Sequence, residues 1–226
     1  MDMKLSCIIP AYNEEHRISS VLQIVTTHPL INEVIVVNDA STDATIEKMR
    51  AFSNITIIEH QTNKGKSNAI YSGLMAAKGE YVLFVDADLA GLSEKNITDL
   101  ISPVIDGVAD VSISLRGNTP LLWRAIGLDY ISGERAMPRE IITDHIHKIP
   151  ALPGFALEVF LNRILINSKC RIKVVTWPKV HSPYKRGGYG VFKAIKGNIH
   201  MAIQVLKSIS LLEATTQVFK MLSLKV

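Results

Sequence analysis

The segment LFVDADLAG, Leu83 to Gly91, runs from apolar residues straight into Asp86 and Asp88, with one alanine between them. Two carboxylates at the end of a strand can hold a hard divalent cation, Mg²⁺ or Mn²⁺, against the oxygens of a diphosphate. Side chains alternate along a strand, so the two acids act together only where the chain turns, and LAGLS supplies such a turn. One carboxylate would then bind the metal directly and the other through water or a ribose hydroxyl. With 21 acidic residues in 226, a pair at this spacing arises by chance about once or twice, so its surroundings must decide its meaning.

Other strand ends carry residues of the same kind. Asp39 closes the run EVIVVND with a carboxylate able to accept from a base N–H, and Tyr12 in PAYNEE offers a flat face for stacking. Asp39 could equally form an Asx turn and Tyr12 be a partly buried ring, while one of Glu14 and Glu15 suits a helix N-terminus. NKGKSNA is no P-loop, and the glycine fingerprint of a dinucleotide fold is missing, so a nucleotide must be held by other means.

The elements that position these residues are legible in the first half. KLSCIIP, EVIVVND, ITIIEH, EYVLFVDAD and ADVSISL are β-branched-rich and bounded by turn residues. Between them Ile18, Val21, Leu22 and Val25 share one helical face, as do Ala69, Ile70, Gly73, Leu74 and Ala77. Ser41 is expected to cap the helix through Ile46, and Gly79 to close the one ending at Lys78. Alternating strand and helix predict a Rossmann-like, mostly parallel sheet flanked by helices, with ligands beyond the strands' carboxyl ends. Past about residue 115 the pattern changes: RGNTPLLWRAIGLDYISGERAMPRE is mixed, PGFALEVFLNRILINS helical, CRIKVVTW a strand, and the last residues a long basic helical tail.

Length and composition fit one α/β domain with a C-terminal extension, 47% hydrophobic and 20% charged. The mean hydropathy of +0.20 is high for a soluble protein. A net charge of +4 admits anionic partners without choosing among them. Two distant cysteines, Cys7 and Cys170, give neither metal spacing nor a disulfide framework and suit a reducing cytoplasm. The N-terminal apolar run is too short for a secretory signal, and no stretch reaches the roughly 18 apolar residues of a membrane span.

IIPAYNEE, VIVVNDASTDAT, NKGKSNAI and GEYVLFVDADL, in this order and spacing, resemble the family-2 glycosyltransferases of the GT-A fold, most of all the dolichyl-phosphate mannose synthase-like and polyprenyl-phosphate glycosyltransferase branch. A looser likeness continues through SLRGN, SGERAMPRE, GFALEVFLNR and KVHSPYK to about residue 190. The resemblance implies that Pro10, Tyr12 and Glu14 sit against base and ribose. Asp39, with Val37 beside it, accepts from the base, and Lys66 approaches base or ribose. Asp86, Ala87 and Asp88 line the sugar-diphosphate and its Mg²⁺ or Mn²⁺. Arg116 approaches the donor, as do Lys179 and Lys185, although an arginine is usual at the first of those two, and a guanidinium fork is not a point charge. Asn38 stands where many relatives have a second aspartate, and Glu134 where an aromatic is usual. Arg135 matches a family arginine and could hold a donor or acceptor phosphate, the plainer reading being a salt bridge to Glu134 or Glu140.

The implied reaction is inverting, metal-dependent hexosyl transfer from a nucleoside-diphosphate sugar. A hydroxyl acceptor such as a glycan needs a base, for which Glu158 is the candidate; a polyprenyl phosphate arrives as an anion and needs none. Residues 1–190 are expected to form the GT-A domain, with 1–115 the nucleotide-sugar half and 116–190 the acceptor half, and 191–226 a helical extension. In that extension Phe192, Ile195, Ile199, Ala202, Ile203, Leu206 and Ile209 form a stripe, with Lys193, Lys196, His200 and Lys207 largely off it. Such a helix can lie on an anionic membrane, making the protein cytoplasmic and peripheral on its inner face, or pack on the domain or in a homodimer. No nucleic-acid partner is expected. A nucleotidyltransferase and a non-catalytic nucleotide-sugar or lipid-binding module are the alternatives.

Overall fold

The structure is a computed structural model describing residues 4–153, 156–182 and 209–226. Lys185 and the tail stripe from Phe192 to Leu206 lie outside the described residues.

Seven strands form one sheet: β1 (Leu5–Ala11), β2 (Glu33–Asn38), β3 (Thr56–Glu59), β4 (Tyr81–Phe84), β5 (Val111–Arg116), β6 (Arg135–Pro138) and β7 (Ile172–Trp177). Their spatial order is β3-β2-β1-β4-β6-β5-β7, parallel throughout except for β6, which runs antiparallel to both β4 and β5. The apolar run of β1 is continuous because both faces of the sheet are covered. Its side chains still alternate between two cores. Ile8 joins Ile35, Val37, Val82 and Phe84 on one side, while Cys7 and Ile9 join Val34, Val36 and Leu83 on the other.

Helices α1 (Ile18–Val25), α2 (Thr45–Arg50), α3 (Lys66–Ala76) and α4 (Glu94–Ile105) connect the strands of the first half. Ile18, Val21, Leu22 and Val25 are all fully buried, as the periodicity predicts. Gly73 lets α3 lie directly on β1, since a Cβ there would stand 2.3 Å from Ile8 Cγ2. Two local expectations fail. The α2 N-cap is Ala44, and Ser41 instead accepts from the Asn13 N–H at 3.0 Å. α3 ends at Ala76, and Gly79 serves a close approach to β1, donating its N–H to Ser6 Oγ at 2.8 Å.

The second half adds α5 (Leu121–Ile126), α6 (Glu140–Thr143), a 3-10 helix (Ile146–Ala151), α7 (Ala156–Asn167) and α8 (Leu211–Ser223). α8 belongs to the body of the fold. Met221 and Ile209 are buried, Tyr130 Oη donates to Gln217 Oε1 at 2.7 Å, and Val226 N donates to Ile172 O at 3.0 Å. Among the described residues no helix is long and apolar enough to cross a membrane.

The chain leaves β1 toward β2 and β3, then returns to lay β4 on the other side of β1. Strand order reverses there, and the crevice beyond the carboxyl ends of β1, β2 and β4 is where such sheets take ligands.

Candidate active site

The first wall of that crevice is built around Asp39. It follows the last residue of β2 and is 3% exposed. Its Oδ1 accepts from His60 Nδ1 at 2.7 Å and from the Lys64 N–H at 2.9 Å, and its Oδ2 from the Gly65 N–H at 2.7 Å. The loop from β3 to α3 is therefore folded onto the carboxylate, with Gly65 at φ +86°, a conformation side chains rarely adopt.

Around it, Tyr12 presents a ring 40% exposed. Glu14 is buried and accepts from Arg17 Nε at 2.8 Å, so its carboxylate is held by the fold. Glu15 supports a helix N-terminus at a distance, its Oε2 accepting from the Ala44 N–H at 2.9 Å. Val37 is fully buried and packs in the core with Ile8 and Ile35. Pro10, its neighbour across the β1–β2 pair, is half-buried.

The second wall is an ionic cluster. β4 ends at Phe84, so Asp86 and Asp88 lie beyond the strand in a turn, free of strict alternation. Lys66, the first residue of α3, puts Nζ 2.7 Å from Asp86 Oδ1 and 3.0 Å from Glu158 Oε1. Arg116, the last residue of β5, donates from Nη1 to Ser182 Oγ at 2.7 Å and to Glu134 Oε1 at 3.3 Å, and lies 3.9 Å from Asp86 Oδ2. Ser182 passes the contact on, donating to Asp88 Oδ1 at 3.0 Å. Glu134, fully buried, is gripped by Ser114 Oγ at 2.6 Å and Ser132 Oγ at 3.1 Å. Gly133 leaves the room this needs, because a Cβ there would stand 2.6 Å from Lys66 Nζ and 3.0 Å from both Asp86 oxygens.

Burial opposes charge at every member, and the neighbours decide which charge survives. It works against ionising Asp86, yet Lys66 and Arg116 overcome it and hold the carboxyl below its ordinary value. Asp88 is pushed up by burial and by the Asp86 and Glu14 charges, which outweigh Arg116. Glu134 is likewise pushed up, burial outweighing Arg116. Lys66 is raised, since Asp86 and Glu158 more than offset its burial, and for Arg116 the Glu134 and Asp86 charges do the same.

Glu158, in the first turn of α7, is 1% exposed, and its Oε2 has no partner among the described residues. Arg135 is fully buried at the start of β6. It forms no ion pair with Glu134 or Glu140 but donates to Ser132 O at 2.9 Å and Asn162 Oδ1 at 2.8 Å, leaving Nη2 without a partner among the described residues. The Ala87 side chain is buried. Lys179 is exposed on the loop whose carbonyl packs against Gly91, and His181 exchanges both main-chain hydrogen bonds with Ala90, tying this loop to the aspartate turn.

Four carboxylates, Asp86, Asp88, Glu134 and Glu158, thus face Lys66, Arg116 and Arg135, with Asp88 and Glu134 driven toward the neutral acid. A divalent cation at the aspartate turn would supply the missing charge, so these residues fit Mg²⁺ or Mn²⁺. No group of three or more His, Cys, Asp or Glu among the described residues could hold an ion alone. Such a cation would take one or two carboxylates and complete its shell with phosphate oxygens and water, the usual habit of Mg²⁺.

The structure brings Lys66, Asp86, Asp88, Arg116 and Glu158 together, Lys66 on the aspartate side although the resemblance placed it by base or ribose, whereas Asp39 stands on the other wall and Arg135 behind Glu158. The partners Ser182, Ser114, Ser132 and His60 were not singled out from the sequence. Ser182 sits inside KVHSPYK but 94 residues from the acid it touches, and no local pattern links the two.

Residues 6–152 match the model of Glycosyl transferase family 2. The dolichyl-phosphate beta-glucosyltransferase of Drosophila melanogaster is 37% identical over 101 residues, 38% of this chain and 31% of that protein. Glycosyltransferase GlyA of Streptococcus pneumoniae is 36% identical over 168 residues, 70% of this chain and 23% of that protein. The chain thus spans about a quarter to a third of these relatives. Among solved structures, glucosyl-3-phosphoglycerate synthase of Mycobacterium tuberculosis, crystallised with Mn²⁺, uridine diphosphate and glucosyl-3-phosphoglycerate, superposes with a TM-score of 0.67 at 23% identity, covering 91% of this chain and 80% of that one. The same enzyme with Mg²⁺ and uridine diphosphate gives 0.68 at 22% identity, over 91% and 79% of the two chains. The shared architecture is the GT-A fold. With its strand-end motifs inside the matched residues, this chain belongs to glycosyl transferase family 2.

Proposed function

We propose that this protein transfers a hexosyl group, with inversion, from a nucleoside-diphosphate sugar to an acceptor oxygen. The observation that carries the reading is the Lys66–Asp86 and Arg116–Ser182–Asp88 wiring at the reversal of strand order, across the crevice from Asp39 and the half-exposed ring of Tyr12. Tyr12 and Pro10 would cover the base, and Asp39 would accept from it. Asp86 and Asp88 would hold the Mg²⁺ or Mn²⁺, which when bound neutralises charge building on the leaving diphosphate. Arg116 and Lys66 hold the two aspartates in place and add positive charge on the same side. Lys179 and Lys185 would complete the phosphate side.

For the acceptor, the unpartnered Oε2 of Glu158 favours a hydroxyl. A buried carboxylate beside Lys66, one of whose oxygens makes no hydrogen bond among the described residues, would take the hydroxyl proton as the acceptor oxygen attacks the anomeric carbon and the diphosphate leaves. A second reading, a phosphate on an apolar chain, draws on a cleft of about 530 Å³ beside β5, where Arg116 and Arg124 meet Leu121, 78% exposed. Membrane contact through 191–226 and a homodimer belong to that reading. Glu158→Gln separates the two. With a hydroxyl acceptor kcat should fall about 10²- to 10⁴-fold while donor affinity holds, the range for loss of a general base. Unchanged turnover onto a polyprenyl phosphate would discard the base.

The activity itself is tested by incubating a panel of nucleotide sugars with Mn²⁺ or Mg²⁺ and following slow donor hydrolysis. No turnover of any donor, with nucleotide still bound, would leave a binding module. The family assignment removes the ground for a nucleotidyltransferase.

A further inference from the structure

His60 lies at the end of β3, its side chain 7% exposed, and bridges two elements. Nδ1 stands 2.7 Å from Asp39 Oδ1 and Nε2 2.9 Å from Ser72 Oγ on α3. Asp39 lacks a second negative neighbour at Asn38, and a carboxylate only accepts, so Nδ1 carries the proton whether the ring is neutral or charged. In the neutral ring the Ser72 hydroxyl donates to Nε2 and thereby fixes that tautomer.

An ionised carboxylate has about four acceptor positions. His60 and the Lys64 N–H occupy both on Oδ1, and the Gly65 N–H occupies one of the two on Oδ2. One is left. Uracil presents a single ring N–H between two carbonyls, whereas guanine presents adjacent ring and exocyclic N–H donors that pair best with both oxygens of a carboxylate. We infer that His60, held by Ser72, is a positioning residue that sets base specificity: it closes Oδ1 so that Asp39 offers one acceptor, which suits a uridine nucleotide and penalises a guanosine nucleotide. The inference rests on the proposed reading in which Asp39 faces the donor base.

The test is calorimetric titration of the whole chain with UDP and with GDP in Mg²⁺, for the unaltered protein, His60→Ala, His60→Asn and Ser72→Ala. The unaltered protein should prefer UDP by roughly tenfold or more, the scale of one hydrogen bond to a charged group. His60→Ala opens Oδ1 and should compress that preference by about the same factor, chiefly by improving GDP relative to UDP. His60→Asn keeps an N–H near the Nδ1 position and should restore the preference; Ser72→Ala should compress it less than His60→Ala. A residue that merely holds the loop would weaken both nucleotides equally, and that result, or an unaltered protein preferring GDP, overturns the inference. If His60→Ala does not melt cooperatively, His60→Asn and Ser72→Ala take its place: a preference kept in the first and compressed in the second supports the inference, and equal ratios in both overturn it. Turnover of a nucleotide sugar with an unmoved ratio sinks this inference alone, whereas absence of both turnover and nucleotide binding sinks the reading beneath it.

Discussion

Asp39 and Asp88 are both aspartates just beyond the carboxyl end of a parallel strand, and they could hardly be treated more differently. Asp39 receives two main-chain N–H groups and an imidazole at 2.7–2.9 Å, so its charge is satisfied as the chain folds. Asp88 receives one hydroxyl and sits in the field of Asp86 and Glu14, which, with burial, pushes it toward the neutral acid. A carboxylate given its donors by the fold reads a ligand with whatever acceptor position remains. A carboxylate left short of donors has more to gain from a cation than any neighbour supplies. In the proposed reading the first site serves recognition and the second charge.

The contrast breaks most visibly at Asp88. Asp88→Ala should lower metal-dependent donor turnover by at least about 10²-fold, as loss of charge stabilisation on a leaving group does, while the melting temperature holds or rises because an unfavourable charge has been removed. Donor hydrolysis followed beside a thermal melt checks it; unchanged hydrolysis would remove Asp88 from the site. Asp39→Asn should act the opposite way. The new NH₂ group cannot accept from Lys64 or Gly65, so stability should fall by about 1–3 kcal/mol, as for buried donors losing their partner, and nucleotide affinity should fall with it. Denaturant melts and UDP titration read both.

A finer distinction is one of pH, in the metal-free protein. The Asp88 pKa is raised in the fold, so its protonated form contributes stability that is complete below the ordinary carboxylate pKa and lost as pH climbs through the folded value. Asp86 is lowered, so its contribution is present above the ordinary value and lost as pH falls through the folded one. Melting temperature against pH should therefore change slope in opposite senses in Asp88→Asn and Asp86→Asn. Parallel curves would show that Lys66 and Arg116 do not distinguish the two carboxylates.

Much of the first half was readable because each of its signals is local. Five apolar runs became five strands, three helical segments became α1, α2 and α3, and the strand-end residues fell in one crevice because parallel strands all present the same end. The errors came where a local pattern was too short or served another contact. β6 is four residues, RAMP, beginning on a fully buried arginine, and nothing in it reads as a central strand. Pairing with β4 and β5 on both sides makes it one, with Pro138 at its end, where a missing N–H is tolerated. Ser41 and Gly79 look like helix punctuation and turn out to hold a loop and a strand.

By itself, then, the sequence determined the alternation of strand and helix, the family motifs and the set of acids and bases at the strand ends, since hydrophobic periodicity and motif spacing act over a few residues. Only the tertiary structure decided which charge meets which. Lys66 reaches Glu158 across 92 positions, Ser182 reaches Asp88 across 94, and Glu134 meets Arg116 from the loop just before a strand that no periodicity marked. Burial and Coulomb interaction depend on distance in space, and it is the order of strands across the sheet that sets that distance.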